Sequence, residues 1–132
     1  MKKKRIALGL MLAACLLPVV AASNNQKPSK QPCDDAQTQF EMNQCARRES
    51  EAADAELNKV YNRLAAKLED EQRAQLKAAE LAWIKYRDTN CEFESAFYKG
   101  GTMRPMVHSY CLARMTNERT AELKQQIETD EQ

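Results

Sequence analysis

From Cys33 to Lys99 the chain contains neither glycine nor proline, the two residues that most often interrupt a helix. This stretch is dense in Ala, Leu, Glu, Lys, Gln and Arg, which are the best helix formers. Its β-branched residues are few, namely Thr38, Val60, Ile84 and Thr89. A sheet protein would carry many more of them, so we expect an all-α fold.

Apolar residues follow helical spacing in two runs, separated by a polar break at Glu69-Asp70-Glu71-Gln72. One helix from Ala46 to Tyr98 would be about 80 Å long, whereas a domain of this size has a radius of gyration of about 13 Å. The chain must therefore fold back at the break, where we expect Asp70 to act as an N-cap. The two runs are Leu57, Tyr61, Leu64 and Leu68, and then Leu76, Ala79, Trp83, Tyr86 and Asn90.

A second break lies at Gly100-Gly101, which Pro105 follows. Glycine just after a helix and proline at the start of the next one are a stop-and-restart signal. The third helix is then expected from about Pro105 to Ile127. The sequence predicts a small antiparallel bundle of three main helices, plus a short N-terminal segment from Cys33 to Cys45.

The first residues are typical of an export signal. A basic start, MKKKR, precedes an uncharged apolar run from Ile6 to Val20, which is shorter than the ~20 residues that span a bilayer. Small residues at Val20-Ala21-Ala22 favour cleavage after Ala22. We expect a signal peptide at residues 1–22, a flexible leader at 23–32 and a helical domain at 33–132.

A competing interpretation uses Leu12-Ala13-Ala14-Cys15, which resembles a bacterial lipobox and would anchor the protein through a lipid on Cys15. The residues after Cys15 stay apolar, whereas a lipoprotein normally turns polar there, so ordinary cleavage is preferred. Either route places the protein outside the cytoplasm, in the periplasm or beyond.

Removing residues 1–22 changes the charge balance. The full chain has a formal net charge of +1, and the signal takes away Lys2, Lys3, Lys4 and Arg5 but no acidic residue, which leaves −3. An exported acidic chain is a poor partner for nucleic acid. It is better suited to a cationic partner.

The mature chain keeps Cys33, Cys45, Cys91 and Cys111, an even set that indicates two disulfides in an exported domain. Cys91 lies nine residues before Gly100 and Cys111 ten residues after Gly101, so the two are level in a helical hairpin. Cys91–Cys111 with Cys33–Cys45 is the natural pairing. Cys45–Cys91 with Cys33–Cys111 stays open as an alternative.

One ordered set of residues runs through most of the mature chain: Cys33, Thr38, Glu41-Met42-Asn43, Cys45-Ala46, Asp54, Leu57-Asn58, Tyr61, Ala82-Trp83, Arg87-Asp88, Cys91, Gly100-Gly101, Cys111, Thr116, Arg119 and Leu123. This pattern resembles the LprI-type lysozyme-inhibitor family of small exported bacterial helical proteins. The resemblance covers Cys33 to Leu123, with one departure at Glu80, where the family commonly has Gln.

The resemblance implies a non-enzymatic protein that inhibits lysozyme and needs no cofactor. Animal-type lysozymes are strongly cationic, which suits an acidic inhibitor. The alternative is a cell-envelope interaction module that binds another protein or a wall component and inhibits nothing. An enzyme ranks last, because the lone His108 has no recognisable nucleophile motif or orienting acid beside it, and one histidine argues against a metal site.

Two groups of residues are candidates for a role. The first is expected to be a structural polar network that docks the helices, because its members lie within helices: Asp54, Asn58, Tyr61, Arg87, Asp88 and Arg119. The second is a candidate binding loop held by the Cys91–Cys111 bridge: Thr102, Met103, Arg104 and His108. Inhibition by this loop would act by blocking the cleft of the lysozyme.

Five of the chain's eight aromatic residues lie between Trp83 and Tyr98, the others there being Tyr86, Phe93 and Phe97. We expect most of them to pack in the core or to cover the disulfide end. Trp83 is the clearest core candidate, and Phe97 and Tyr98 are equally consistent with a binding surface.

Overall fold

The structure, a computed structural model, describes Cys33 and residues 35–130. The predicted signal peptide, Cys15 and the predicted leader lie outside the described residues. Within the described part there are three α-helices of 27 residues each and no strand: α1 (Gln39–Ala65), α2 (Asp70–Ala96) and α3 (Arg104–Asp130). The prediction of an all-α bundle with three main helices is confirmed.

A capping box starts α1. The Thr38 hydroxyl accepts a hydrogen bond from the backbone N–H of Glu41 at 3.2 Å, and the Glu41 carboxylate accepts from the N–H groups of Thr38 at 2.9 Å and Gln37 at 3.0 Å. These bonds satisfy N–H groups that have no partner within the helix. The expected N-terminal segment therefore merges into α1 from Gln39 onward.

The connection between α1 and α2 is closed by Arg73. Its Nε donates to the carbonyl of Ala65 at 2.9 Å, its Nη2 to the carbonyl of Leu68 at 2.6 Å and its Nη1 to Asp70 at 3.0 Å. The prediction that Asp70 is the N-cap of α2 is wrong, since Glu69 holds that position without a side-chain capping bond. Instead, the Asp70 carboxylate forms an ion pair with Arg73, one helical turn further along the chain.

The connection between α2 and α3 depends on Gly100, whose φ of 83° lies in the left-handed region that favours glycine. α3 begins at Arg104, one residue before the predicted start at Pro105. Proline is tolerated there because N–H groups in the first turn have no partner within the helix. The helix also continues beyond Ile127, to Asp130.

α3 packs against both other helices, whereas α1 and α2 touch each other much less. The chain runs up, down and up, so α3 lies parallel to α1 and antiparallel to α2. At one end Asn43 Nδ2 donates to the Thr102 carbonyl at 3.0 Å, and toward the other end Lys124 Nζ donates to Glu56 at 3.0 Å.

Hydrophobic packing is uneven along the bundle. Toward the α1–α2 connection lies a cluster of aliphatic side chains, and toward the α2–α3 connection a smaller one of Cys91, Cys111 and Met115. Trp83 packs against both clusters, which confirms its expected role in packing. The aliphatic cluster consists of Leu57, Val60, Leu64, Leu76, Leu123 and Ile127.

Two disulfides hold the end with the smaller cluster. Cys91–Cys111 joins α2 to α3 with its Cα atoms 5.5 Å apart, and Cys33–Cys45 ties the preceding turn to α1 with its Cα atoms 5.8 Å apart. The pairing predicted from hairpin register is confirmed, and the alternative pairing is wrong. Where apolar burial is small, covalent links supply stability that a core would otherwise provide.

We expect the two disulfides to differ in their contribution to stability. Cys91–Cys111 closes 20 residues and crosses between helices, so replacing both cysteines with serine is expected to lower the free energy of unfolding by about 3 kcal/mol. Replacing Cys33 and Cys45, which close 12 residues between α1 and the turn before it, should cost less. Urea denaturation without reductant measures both, and the opposite order would contradict this account.

The capping box also predicts a pH dependence of stability. Hydrogen bonds from the Thr38 and Gln37 backbone hold the pKa of the Glu41 carboxyl below its ordinary value of 4.5. Its stabilising contribution is therefore complete above that value and is lost as the pH falls through the lower, folded-state pKa. A Glu41→Gln variant should be less stable than wild type at neutral pH and equally stable in strong acid, as followed by urea unfolding at several pH values.

Candidate functional site

Arg87 of α2 joins all three helices at one point. Its Nη1 donates to Asp54 of α1 at 2.7 Å and to the Thr116 hydroxyl of α3 at 3.0 Å, and its Nε donates to Asp88 at 2.9 Å. The guanidinium lies 5.3 Å from the centre of the Trp83 ring, and its side chain is only 11% exposed. This contact set joins three of the predicted network residues and adds Thr116.

Arg119 belongs to a second, separate cluster. It donates to Glu80 of α2 through Nε at 2.7 Å and also through Nη2, and to Glu122 at 2.7 Å. Burial lowers the pKa of Arg119, but hydrogen bonds and charge from Glu80 and Glu122 outweigh that effect and raise it. Glu80 is 7% exposed, so the sequence position that departs from the family pattern is a buried ion-pair partner.

The remaining two predicted network residues lie apart from these clusters. Asn58 is exposed, and its side chain makes no hydrogen bond within the described part of the chain. Tyr61 is half-buried and packs against the aliphatic cluster. The structure therefore brings the six residues together only in part, in two arginine-centred groups.

The candidate binding loop is held at three points. Cys91–Cys111 closes its base, Asn43 donates to the Thr102 carbonyl, and Arg104 forms an ion pair with Glu92 of α2. Glu92 was not among the predicted residues, because it lies more than a helical turn from the level of Arg104. Only the reach of the two long side chains brings their charges together.

The four loop residues share one end of the bundle, and we call Thr102, Met103, Arg104 and His108 the loop surface. Met103 is 41% exposed, and Thr102 is exposed beside it. Arg104 and His108 are half-buried and line a shallow cavity of about 310 Å³ between α2 and α3. The imidazole of His108 makes no hydrogen bond or ion pair with any of the described residues.

The aromatic residues of α2 depart from expectation. Tyr86 is 61% exposed and Phe93 63%, so the prediction that the aromatic residues mostly pack in the core is wrong for these two. Phe97 and Tyr98, which follow the end of α2 and for which core and surface were equally expected, are also exposed, at 77% and 42%. The cause is the orientation of α2, which turns Glu80, Arg87 and Cys91 toward its neighbours. Phe93 and Phe97 contact each other edge to face, with ring centres 5.4 Å apart.

One grouping of metal-ligand atom types occurs in the described part of the chain, formed by Cys33, Cys45 and Glu49. The two sulfur atoms are joined in a disulfide, so they offer no thiolate to a metal ion. This grouping is therefore a packing contact between a carboxylate and the bridge.

Residues 30–123 match the protein family described as lysozyme inhibitor LprI. The chain belongs to the LprI family. The family resemblance inferred from the cysteines, the Ala-Trp pair and the double glycine is therefore confirmed.

This LprI-family chain is also similar to an uncharacterized protein of Rhizobium meliloti (strain 1021). The two are 40% identical over 129 residues, which covers 88% of this chain and 92% of that protein. No solved structure matches the chain. None of the helices in the described residues is long and apolar enough to cross a membrane.

The buried Glu80–Arg119 pair predicts a large difference between two carboxylate substitutions. Glu80→Ala leaves a mostly buried guanidinium without its main partner and is expected to cost about 3–5 kcal/mol of unfolding free energy. Glu122→Ala should lower the free energy of unfolding by less than about 1 kcal/mol, because the Glu122 side chain is 59% exposed. Urea unfolding compares the two, and equal costs would contradict a structural role for Glu80.

Glu80→Gln provides the matched control for charge. It keeps an oxygen that accepts from Arg119 but removes the negative charge. We expect a cost between those of the two alanine variants, about 1–2 kcal/mol.

Proposed function

We propose that this protein is an exported, non-enzymatic inhibitor of lysozyme that acts by placing its loop surface in the substrate cleft of the enzyme. The match to a family described as lysozyme inhibitors carries the proposal. It names a protein partner and a result, loss of lysozyme activity. The loop surface supplies a place on the molecule where such a contact can form.

Rigidity supports the choice of the loop surface. A disulfide, a hydrogen bond from α1 and an ion pair from α2 each restrain the segment from Thr102 to Arg104. A loop that is already ordered loses little conformational entropy when it binds. This is the property that a small inhibitor needs in order to occlude a cleft without itself being reshaped.

The chemistry of the loop surface suits a glycosidase cleft. Such clefts carry two carboxyl groups that flank the scissile bond. Arg104 binds Glu92 through Nη2, which orients the guanidinium and leaves Nε and Nη1 to donate to an acidic group of the enzyme. Met103 beside it is exposed and adapts its shape to an irregular apolar surface.

Charge supports the approach of the two proteins. Once the predicted signal peptide is removed, the formal charge is −3. A cationic lysozyme is then attracted from a distance, which raises the association rate at low salt. Export by the predicted signal places the inhibitor where it would protect the bacterial wall.

The test is the clearing of a suspension of bacterial walls by animal-type lysozyme, with and without the oxidised protein lacking residues 1–22. We expect the protein to slow clearing, and Arg104→Ala with His108→Ala to weaken inhibition at least tenfold, a loss of about 1.4 kcal/mol. No slowing at tens of micromolar protein would contradict the proposal and favour the cell-envelope interaction module.

Arg114→Ala is the matched control. Arg114 of α3 pairs with Glu94 of α2 at 3.0 Å and is 50% exposed, so it resembles Arg104 but lies away from the loop surface. Its removal should leave inhibition unchanged. If inhibition survives the double variant at the loop, the occluding surface lies elsewhere on the protein.

A further inference from the structure

Six residues of α2 form a continuous stripe along the helix that contains no charged residue. All six are exposed, and the two large ones, Tyr86 and Phe93, keep 61% and 63% of their surface in solvent. The face that α2 turns to α3 is a different one, which carries Leu76, Glu80 and Cys91. We call the following residues the α2 stripe: Ala79, Ala82, Tyr86, Thr89, Phe93 and Ala96.

The spacing of the α2 stripe is that of a helix seam. Its members follow one another at alternating steps of three and four residues, the pattern by which one helix packs along another. Phe97 widens the stripe by its edge-to-face contact with Phe93. A helix face meant only for water would interleave charged residues here, as the neighbouring positions of α2 do.

We propose that the α2 stripe is the interface of a homodimer, in which α2 packs antiparallel against α2 of a second copy. The twofold axis passes between Arg87 and Asp88. In this register Phe93 lies opposite Ala82 of the second copy, and Tyr86 lies opposite Thr89. Symmetry repeats each contact, so every large side chain meets a small one.

From Ala82 to Ala96 small and large residues of the stripe alternate, and this favours the antiparallel arrangement. In a parallel pair in register, Phe93 would face Phe93 and Ala82 would face Ala82, which leaves crowding in one layer and a void in the next. A twofold antiparallel pair is self-complementary and closes after two copies. The stripe is therefore shaped for a second copy of itself.

Charges beside the α2 stripe favour the same register. Lys85 and Glu92 flank the stripe on one side, and the antiparallel register places Lys85 of each copy beside Glu92 of the other. Lys85 has no ion-pair partner among the described residues. Glu92 binds Arg104 through Oε1 and keeps its second oxygen for a further cation.

The size of the surface indicates a moderate affinity. Two copies bring six exposed rings to the contact, namely Tyr86, Phe93 and Phe97 of each, and a fully buried ring contributes about 150–250 Å². Because the rings are already partly covered, the interface buries on the order of 1,000 Å², the lower end for specific complexes. A dissociation constant in the micromolar range is expected.

Sedimentation of the oxidised protein lacking residues 1–22, from about 1 to about 500 μM, tests the proposal. We expect a monomer–dimer equilibrium, which Phe93→Glu abolishes. The matched control is Leu81→Glu, because Leu81 is 60% exposed on the same helix but lies outside the α2 stripe. The dissociation constant of the Leu81→Glu dimer should equal that of wild type. Unaltered thermal unfolding of the two variants would show that both fold.

A protein that stays monomeric over this range overturns the homodimer, and the α2 stripe then serves a different protein. Equal loss of dimer in Phe93→Glu and Leu81→Glu also overturns it, since the interface would then not be specific to the stripe. Neither residue belongs to the loop surface, so these outcomes leave the proposed inhibition of lysozyme to its own assay.

Charge reversal tests the register. Lys85→Glu and Glu92→Lys each place like charges together at both ends of the contact, and each is expected to weaken the dimer about tenfold. An equimolar mixture of the two variants pairs opposite charges again and should recover wild-type affinity as a heterodimer. A mixture no tighter than either variant alone overturns the antiparallel register.

Discussion

The Cys91–Cys111 disulfide is the link on which the α2–α3 end of the molecule depends. Large buried apolar side chains are few there, and the aliphatic cluster lies toward the other end. Because a covalent bond holds α2 to α3, the aromatic residues nearby are not needed to form a hydrophobic core at this end. Tyr86, Phe93 and Phe97 can therefore lie on the outside of the bundle, and the same bond restrains the turn that follows them.

Two arginines of the bundle act differently from the disulfide. Arg87 binds groups on α1 and α3, and Arg119 binds Glu80 across the α2–α3 interface. Buried pairs of this kind add little net stability, but an arrangement that separates the partners costs several kcal/mol, on the order of 3–5. Their contribution is to select one docking of three amphipathic helices, which apolar contacts alone would leave loosely defined.

Prediction from the sequence succeeded where a rule depends on local chain geometry. Gly100 and the polar break near Asp70 marked the two connections, and the hairpin register of Cys91 and Cys111 favoured the disulfide pairing that the structure shows. Arg87 and Asp54 were expected in one network because both lie within helices, where buried polar groups must find partners, and the structure joins them. Arg119 was assigned to the same network wrongly, because helical register does not say which of several carboxylates a long side chain reaches.

The sequence by itself determined that this chain forms three helices and where the two connections lie, and it favoured the observed cysteine pairing, because propensity, glycine conformation and helical rise act over a few residues. Only the tertiary structure decided which face of α2 is buried. That helix has two faces with large apolar side chains, one with Leu76 and Trp83 and the other with Tyr86 and Phe93. Local pattern does not distinguish them. Cys91, Arg87 and Glu80 decide which face is buried, because their bonds to the other helices turn the face with Tyr86 and Phe93 outward.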